Sequence, residues 1–318
     1  MKVTDYFEKA NGKTLISFEV LPPLKGGSMQ SIFDTLDPLM EFKPPFIDVT
    51  YHREDFVYRK NATGHYEKSS IRKRPGTIGI CASIMHRYGV DAVPHLICGG
   101  FTKEDTENAL IDLNFLAINN VLVLRGDARK FEGKFIPEKE GHQYAIDLVK
   151  QVVDMNNGGY LDGGIDNGTK TDFCIGVAGY PEKHFEAPNM NFDLEWTKRK
   201  AEAGADYIVT QMFFDNQKYF DYVDACRAVG IDIPIVPGLK PITKKYQLTS
   251  LPRLFHLDLP QDLANEVEKA KNAADRRQVG IEWAIAQSKE LKERGVPCLH
   301  YYTMGDTATI RSIVEAVY

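Results

Sequence analysis

Three short apolar runs in this 318-residue chain end in a polar residue that can move or hold a proton. They are Ser17-Phe18-Glu19-Val20-Leu21-Pro22-Pro23, Val123-Leu124-Arg125-Gly126-Asp127 and Val209-Thr210-Gln211-Met212-Phe213-Phe214-Asp215. Each sets a carboxylate or an amide where a buried strand would run out into a loop. Glu19 lies between Phe18 and Val20, surroundings that raise a carboxyl pKa and suit the group to act as a general acid. Pro22-Pro23 then stops further pairing. Asp127 follows Arg125-Gly126, where glycine lets the backbone approach a ligand closely. Gln211 can donate and accept at once, which matches the edge of a heterocycle. Bland alternatives stand beside each: a rim ion pair for Glu19, an ordinary loop at Arg125-Gly126-Asp127, a core-satisfied Gln211. Two acids and an amide converging on one edge point to proton transfer beside a planar, hydrogen-bonding ligand.

Such an edge exists where parallel strands end together. Eight candidate strands are Leu15–Val20, Phe46–Thr50, Thr77–Ala82, Asn120–Leu124, Phe173–Ala178, Tyr207–Gln211, Ile233–Val236 and Cys298–Tyr302. They run apolar on consecutive positions, as strands covered on both faces do. Helical patterns separate them. Thr102–Ile118 carries Ala109, Leu110, Leu113, Leu116 and Ala117 near a 3.6 period, Asp193–Ala203 stops before Gly204, and Gln217–Ala228 stops before Gly230. Leu259–Arg294 reads as two helices broken near Asp275 or Gly280. This alternation predicts a parallel α/β fold. Neither G-x-G-x-x-G at a first strand–helix turn nor a P-loop is present, which favours a (β/α)8 TIM barrel over an open dinucleotide-binding sheet. The active edge would then be the C-terminal face of the strands.

Residues 1–318 read as a single catalytic barrel domain with an inserted surface loop near 156–171. The loop contains Gly158-Gly159-Tyr160-Leu161-Asp162-Gly163-Gly164-Ile165-Asp166-Asn167-Gly168. Its acids lack the EF-hand spacing and terminal glutamate of a calcium loop. The eight histidines form no zinc-ligand spacing, so no metal is expected. Cys81, Cys98, Cys174, Cys226 and Cys298 are widely spaced without a C-x-x-C pair and read as reduced, buried thiols. A net charge of −5 argues against a nucleic-acid partner. No apolar stretch reaches the roughly 20 residues that span a bilayer, and no secretory h-region follows Met1. The chain therefore reads as cytoplasmic, and the patterns at Asn61-Ala62-Thr63 and Asn167-Gly168-Thr169 carry no weight as glycosylation sites.

Six motifs occur in order along the chain beyond the first strand end: Val49-Thr50-Tyr51, Pro94-His95-Leu96, Leu124-Arg125-Gly126-Asp127, Tyr180-Pro181-Glu182-Lys183-His184, Thr210-Gln211-Met212-Phe213-Phe214-Asp215 and Ile235-Val236-Pro237-Gly238. With them the chain resembles methylenetetrahydrofolate reductases of the single-domain bacterial type, from about Leu15 to Thr303. The resemblance implies FAD at the C-terminal face of the barrel, without a Rossmann domain. It puts Thr50, His95, Leu124, Arg125, Gly126 and Asp127 on flavin-contacting positions, with Tyr144, Ala145, Ala178, Tyr180 and His184, and then Asp193, Arg199 and Lys200. Arg199 and Lys200 are adjacent cations of the kind that meet a pyrophosphate, or else a solvated helix face. The implied reaction is a relay: NAD(P)H reduces the flavin and leaves, then methylenetetrahydrofolate takes its place and becomes 5-methyltetrahydrofolate, a methyl source for methionine synthesis. Glu19 would protonate the folate, and Gln211 and Asp127 would hold the pterin edge. A homo-oligomer without the eukaryotic regulatory domain is also implied.

The chain departs from that pattern at three places. Leu251 stands where a phenylalanine stacks on folate or nicotinamide, and leucine packs but cannot stack. Trp196 replaces a small polar residue on the flavin helix. Met304-Gly305-Asp306 replaces Leu-Asn-Arg, removing a cation for the glutamate tail. Two other classes compete. One is a Schiff-base barrel using Lys240, which is expected outside the barrel mouth. The other is a flavin or folate subunit that takes electrons from a protein partner.

Overall fold

The computed structural model describes residues 1–129, 132–165 and 168–318. In chain order its elements are α1 (Val3–Ala10), β1 (Leu15–Val20), α2 (Gln30–Leu36), a 3-10 turn (Asp37–Phe42), β2 (Phe46–Val49), β3 (Asp55–Lys60), β4 (Tyr66–Ile71), α3 (Thr77–Tyr88), β5 (Asp91–Ile97), α4 (Lys103–Phe115) and β6 (Asn120–Leu124). They continue with α5 (Ala145–Asn156), β7 (Cys174–Gly179), α6 (Met190–Glu202), β8 (Tyr207–Thr210), α7 (Asn216–Ala228), β9 (Ile235–Val236) and β10 (Gly238–Leu239). Last come α8 (Gln247–Phe255), α9 (Gln261–Lys269), α10 (Ala273–Glu293), β11 (Cys298–Tyr302) and α11 (Thr307–Val317).

The parallel sheet runs β10-β11-β1-β2-β5-β6-β7-β8-β9. β9 and β10 are two halves of one path interrupted at Pro237, which has no N–H to give to a ladder. β9 pairs with β8 and β10 with β11, so the broken strand closes a (β/α)8 barrel. The expected fold class is borne out.

Alternation along the strands sorts the side chains into two cores. On β1, Ile16, Phe18 and Val20 face outward into the main core, with Leu36, Ile84 and Ile310 of the surrounding helices. Inside the barrel, Val93, Leu122, Cys174, Tyr207, Val236 and Cys298 fill the lower layers, and Val3 and Phe7 of α1 close the bottom. Each large apolar side chain buried this way contributes about 1.5–3 kcal/mol. α1 is fixed by Asn120, whose amide accepts from Val3 N and donates to the Met1 carbonyl, both at 2.8 Å. The floor is thus apolar, and polar side chains of β1, β2, β5 and β11 stand above it.

Seven of the eight expected strands lie within two residues of their expected bounds. The eighth is corrected: Thr77–Ala82 begins helix α3. Thr77, Ile80, Cys81 and Ile84 are buried at helical spacing, and Gly89 ends the helix in the left-handed conformation. The missing strand is β5, disguised by Pro94. Pairing of β5 with β6 starts only at His95, so the absent N–H of Pro94 interrupts little. The long C-terminal helical segment is two helices, broken near the first of the two expected places. It breaks at residues 270–272, where the Asn272 side chain accepts from Asp275 N at 2.9 Å, and not at Gly280. Gly280 lies inside α10 where that helix packs against the Ile242 carbonyl, and an added Cβ would come within 1.7 Å of the oxygen.

The β3–β4 hairpin was not anticipated. It stands at the C-terminal end of β2, tied at its base by Arg74 to the Pro22 carbonyl and by Lys25 N to Lys73 O at 2.7 Å. Residues 157–173, between α5 and β7, carry no helix or strand where described; Asp166 and Asn167 of the expected insertion lie outside the described residues. All five cysteines are free and buried. Among the described residues no helix is long and apolar enough to cross a membrane.

Candidate active site

Glu19 is the next-to-last residue of β1, on the inner face, with its side chain 11% exposed. Thr50, just past β2, donates its hydroxyl to Glu19 Oε1 at 2.5 Å. His300 Nε2 of β11 and His95 Nε2 of β5 lie 3.5 and 3.6 Å from Glu19 Oε2. The Glu19 backbone is held as well, its carbonyl accepting from Thr303 N at 3.2 Å and from the Thr303 hydroxyl at 2.7 Å. Burial pushes the Glu19 carboxyl up, but His95, His300 and Thr50 together outweigh it and hold it down at about 2. The sequence expectation of a raised pKa is overturned: apolar neighbours in sequence face outward, while imidazoles from distant strands face the carboxylate. Burial pulls the His95 ring down, and Glu19 and Asp48 outweigh it in turn.

The second edge follows β6. Gly126 has φ +81°, a conformation that favours glycine, and an added Cβ would press on Ile97 at 3.3 Å. Leu124 ends the strand, Arg125 pairs with Glu186 at 2.5 Å, and Asp127 is exposed. The Asp127 charge acts on both His52 and Tyr180, so the carboxylate stands among residues that follow β2, β6 and β7. Past Ala178 and Gly179, Tyr180 packs edge-on to His184 at 4.8 Å. Burial first, and the Arg125 charge next, push the His184 ring down to about 4. Asp193 fixes this turn by accepting from His184 N at 3.1 Å.

Arg199 and Lys200 face different surroundings. Lys200 is buried against β7 and donates to the Ala178 carbonyl at 2.6 Å, and burial pushes its amine down to about 8. Arg199 is half exposed, pairs with Glu195 and lies over the Trp196 ring at 5.1 Å. Trp196 in turn tilts against Tyr144, the N-cap of α5 next to Ala145, at 5.3 Å. A cleft of about 450 Å³ opens between these helices, with Lys150 and Ile146 on its walls.

Gln211 follows β8, and its side-chain oxygen accepts from Met212 N at 2.9 Å. Leu251 of α8 is 5% exposed in a satellite core with Met212, Phe214 and Ile242. Asp306 caps α11 and pairs with Arg277 at 3.2 Å, so an arginine does stand at this position, from α10. Lys240 comes directly after β10, at the barrel's C-terminal edge and not outside it, and burial pushes its amine down.

The sequence reading missed Asp48, His300 and Ser17. Ser17 Oγ lies 2.8 Å from His300 Nδ1, and Asp48 lies between the two imidazoles. Their signal was a single polar residue inside an otherwise apolar strand, as in Ile47-Asp48-Val49 and Leu299-His300-Tyr301.

A family model described as methylenetetrahydrofolate reductase matches residues 2–318. The 5,10-methylenetetrahydrofolate reductase of Escherichia coli (strain K12) is 31% identical over 297 residues, covering 93% of this chain and 88% of that protein. Methylenetetrahydrofolate reductase 2 of Saccharomyces cerevisiae is 31% identical over 312 residues, 96% of this chain but 47% of that protein. The chain thus spans about half the length of the eukaryotic relatives it matches. Among solved structures, a Clostridium thermocellum protein that binds two copies of 5-methyl-5,6,7,8-tetrahydrofolic acid superposes with a TM-score of 0.57 over 98% of both chains. At 12% identity that likeness shows the fold alone.

Proposed function

The chain belongs to the methylenetetrahydrofolate reductase family, and we propose that it reduces 5,10-methylenetetrahydrofolate to 5-methyltetrahydrofolate with electrons from NAD(P)H and FAD as its cofactor. The observation that carries this reading is the Glu19 carboxylate, held at the barrel mouth against two imidazoles, with Asp127 and Gln211 past the ends of other strands of the same barrel.

The residues present suit FAD. Tyr144 and Trp196 form an aromatic slab with the Arg199 cation beside it, the chemistry that receives an adenine and its phosphates. At the barrel mouth, Gly126 lets the backbone come close to a flat ring. Thr50, His95, Leu124, Arg125 and Asp127 would surround the ring system, with Ala178, Tyr180 and His184 on the β7 side. Asp193 and Lys200 would act from behind, by holding the His184 turn and the Ala178 carbonyl. Ala145 would offer the N-terminus of α5 to a phosphate. Bound there, FAD would supply two-electron chemistry, taking a hydride from NAD(P)H and passing it to the folate.

The chain's own residues would handle the proton. Methylenetetrahydrofolate accepts a hydride once a proton on its ring nitrogen lets the five-membered ring open to an iminium ion. Glu19 faces the mouth, where its carboxylate would relay that proton to the ligand. Asp127 and Gln211 would hold the pterin's donor–acceptor edge and so orient the ring. Leu251 would back the site through Met212 rather than stack on a ligand.

The test is an anaerobic absorbance titration of the purified protein. Flavin bands that bleach on NADH and return on methylenetetrahydrofolate support both half-reactions. A flavin that stays oxidised with NADH and NADPH would favour a protein electron donor instead.

A further inference from the structure

Beneath Glu19 the barrel holds a second carboxylate, in an environment that needs explaining. Asp48 is 1% exposed, and among the described residues neither of its oxygens has a hydrogen-bond partner. Folded proteins avoid a bare buried carboxylate unless opposite charge stands beside it. Two imidazoles do so, His95 Nε2 at 3.7 Å and His300 Nδ1 at 3.8 Å. The same two rings face Glu19, and His95 Nε2 itself has no hydrogen-bond partner among the described residues. It is one ring edge suspended between two carboxylates.

If both carboxylates are ionised and both rings neutral, two negative charges stand uncompensated in a buried interior. Each proton taken up by a ring removes one. The other titratable groups nearby offer no rival cation. Cys81, Tyr207 and Cys298 beside Asp48, and Tyr302 beside Glu19, are acids that burial keeps neutral, and burial also favours the neutral ring of His52.

We propose that Asp48 is a positioning residue that keeps a proton on the His95 ring under Glu19, so that the imidazole, and not the carboxyl, is the proton source for a ligand at the barrel mouth. In the transfer, an imidazolium N–H bond breaks with its electron pair left on the ring, and the proton passes to Glu19 Oε2. Glu19 passes a proton on to a ligand nitrogen. The cluster is then one charge more negative until water returns the proton. Only this last delivery rests on the reductase reading; the coupling of the four side chains stands apart from it.

The test is a histidine-labelled NMR titration of the native protein and Asp48→Asn, read beside the pH profile of folate-dependent flavin reoxidation. The expected result is that Asp48→Asn lowers the midpoint of the His95 ring by about one pH unit or more. The basic limb of the pH profile should move down with it. Ring midpoints that do not move overturn the proposal, and midpoints that move while the basic limb stays put overturn the proton-source role. A native protein without folate turnover strikes the reductase reading, whereas a shifted ring midpoint in the same protein still supports the coupling. If Asp48→Asn does not fold, His300→Gln tests the same coupling. His95, then alone between two carboxylates, must titrate higher, and an unchanged midpoint overturns the idea.

Discussion

Glu19 and Asp48 are register partners on adjacent strands, and both carboxylates reach the same two imidazoles, His95 and His300, at 3.5–3.8 Å. One carboxylate meets the barrel mouth and the other is sealed inside. The pair divides the work of a buried acid between a group that can touch a ligand and one that cannot.

Replacing Glu19 by Gln keeps the acceptor for Thr50 but removes the proton carrier. Stopped-flow absorbance should find flavin reduction by NADH within a few-fold of native and flavin reoxidation by methylenetetrahydrofolate slowed by about 10²–10⁴. Equal loss in both half-reactions would remove Glu19 from the folate step.

The same substitution has a pH signature in stability. The folded Glu19 pKa lies below its ordinary value of 4.5, at about 2, so its contribution is complete above 4.5 and fades as pH falls toward 2. His95, held up in the fold, contributes in the opposite sense, fully below its ordinary 6.5 and less as pH rises through its folded value. Urea denaturation should therefore find Glu19→Gln less stable by roughly 3 kcal/mol near pH 5, converging on native toward pH 2. A gap that is constant with pH would mean the carboxylate is not held by its charge.

Trp196 and Arg199 should govern cofactor retention rather than chemistry. Trp196→Ala should weaken FAD binding by about 1–3 kcal/mol, the range for a base stacked on an aromatic ring. Arg199→Ala should weaken it less, with a smaller dependence on salt. Calorimetric titration of FAD into apoprotein measures both, and affinities equal to native would place the adenine elsewhere.

Leu251→Phe restores the aromatic of the bacterial pattern but puts it in a packed cluster. The expected outcome is a loss of about 1–3 kcal/mol in denaturant stability with no gain in KM for NADH. An improved KM at unchanged stability would show that α8 presents this side chain to a ligand.

Much of the barrel was legible because strand and helix periods differ and the loops carry strong punctuation. Thr77–Ala82 misled because a short apolar run has no period of its own, and β5 hid because proline seldom sits inside a central strand. The polar lining was harder to read. Asp48 and His300 show as single polar residues inside apolar strands, but nothing local tells which face they take or that β1, β2, β5 and β11 bring them together. The Glu19 pKa failed for the same reason: Phe18 and Val20 are its neighbours in sequence, whereas His95 and His300 are its neighbours in space.

Pro237 leaves the barrel fastened by two residues on each side, Ile235–Val236 against β8 and Gly238–Leu239 against β11. Mechanically the cylinder is a wide ribbon with a clasp. Its circumference is only as strong as that short double ladder, so breathing of the wall should begin there, and the backbone amides beside the clasp should be the first of the barrel amides to exchange with solvent. His300 stands next to that clasp on β11 and Glu19 one strand further on β1, where a slight opening would admit water to a closed interior.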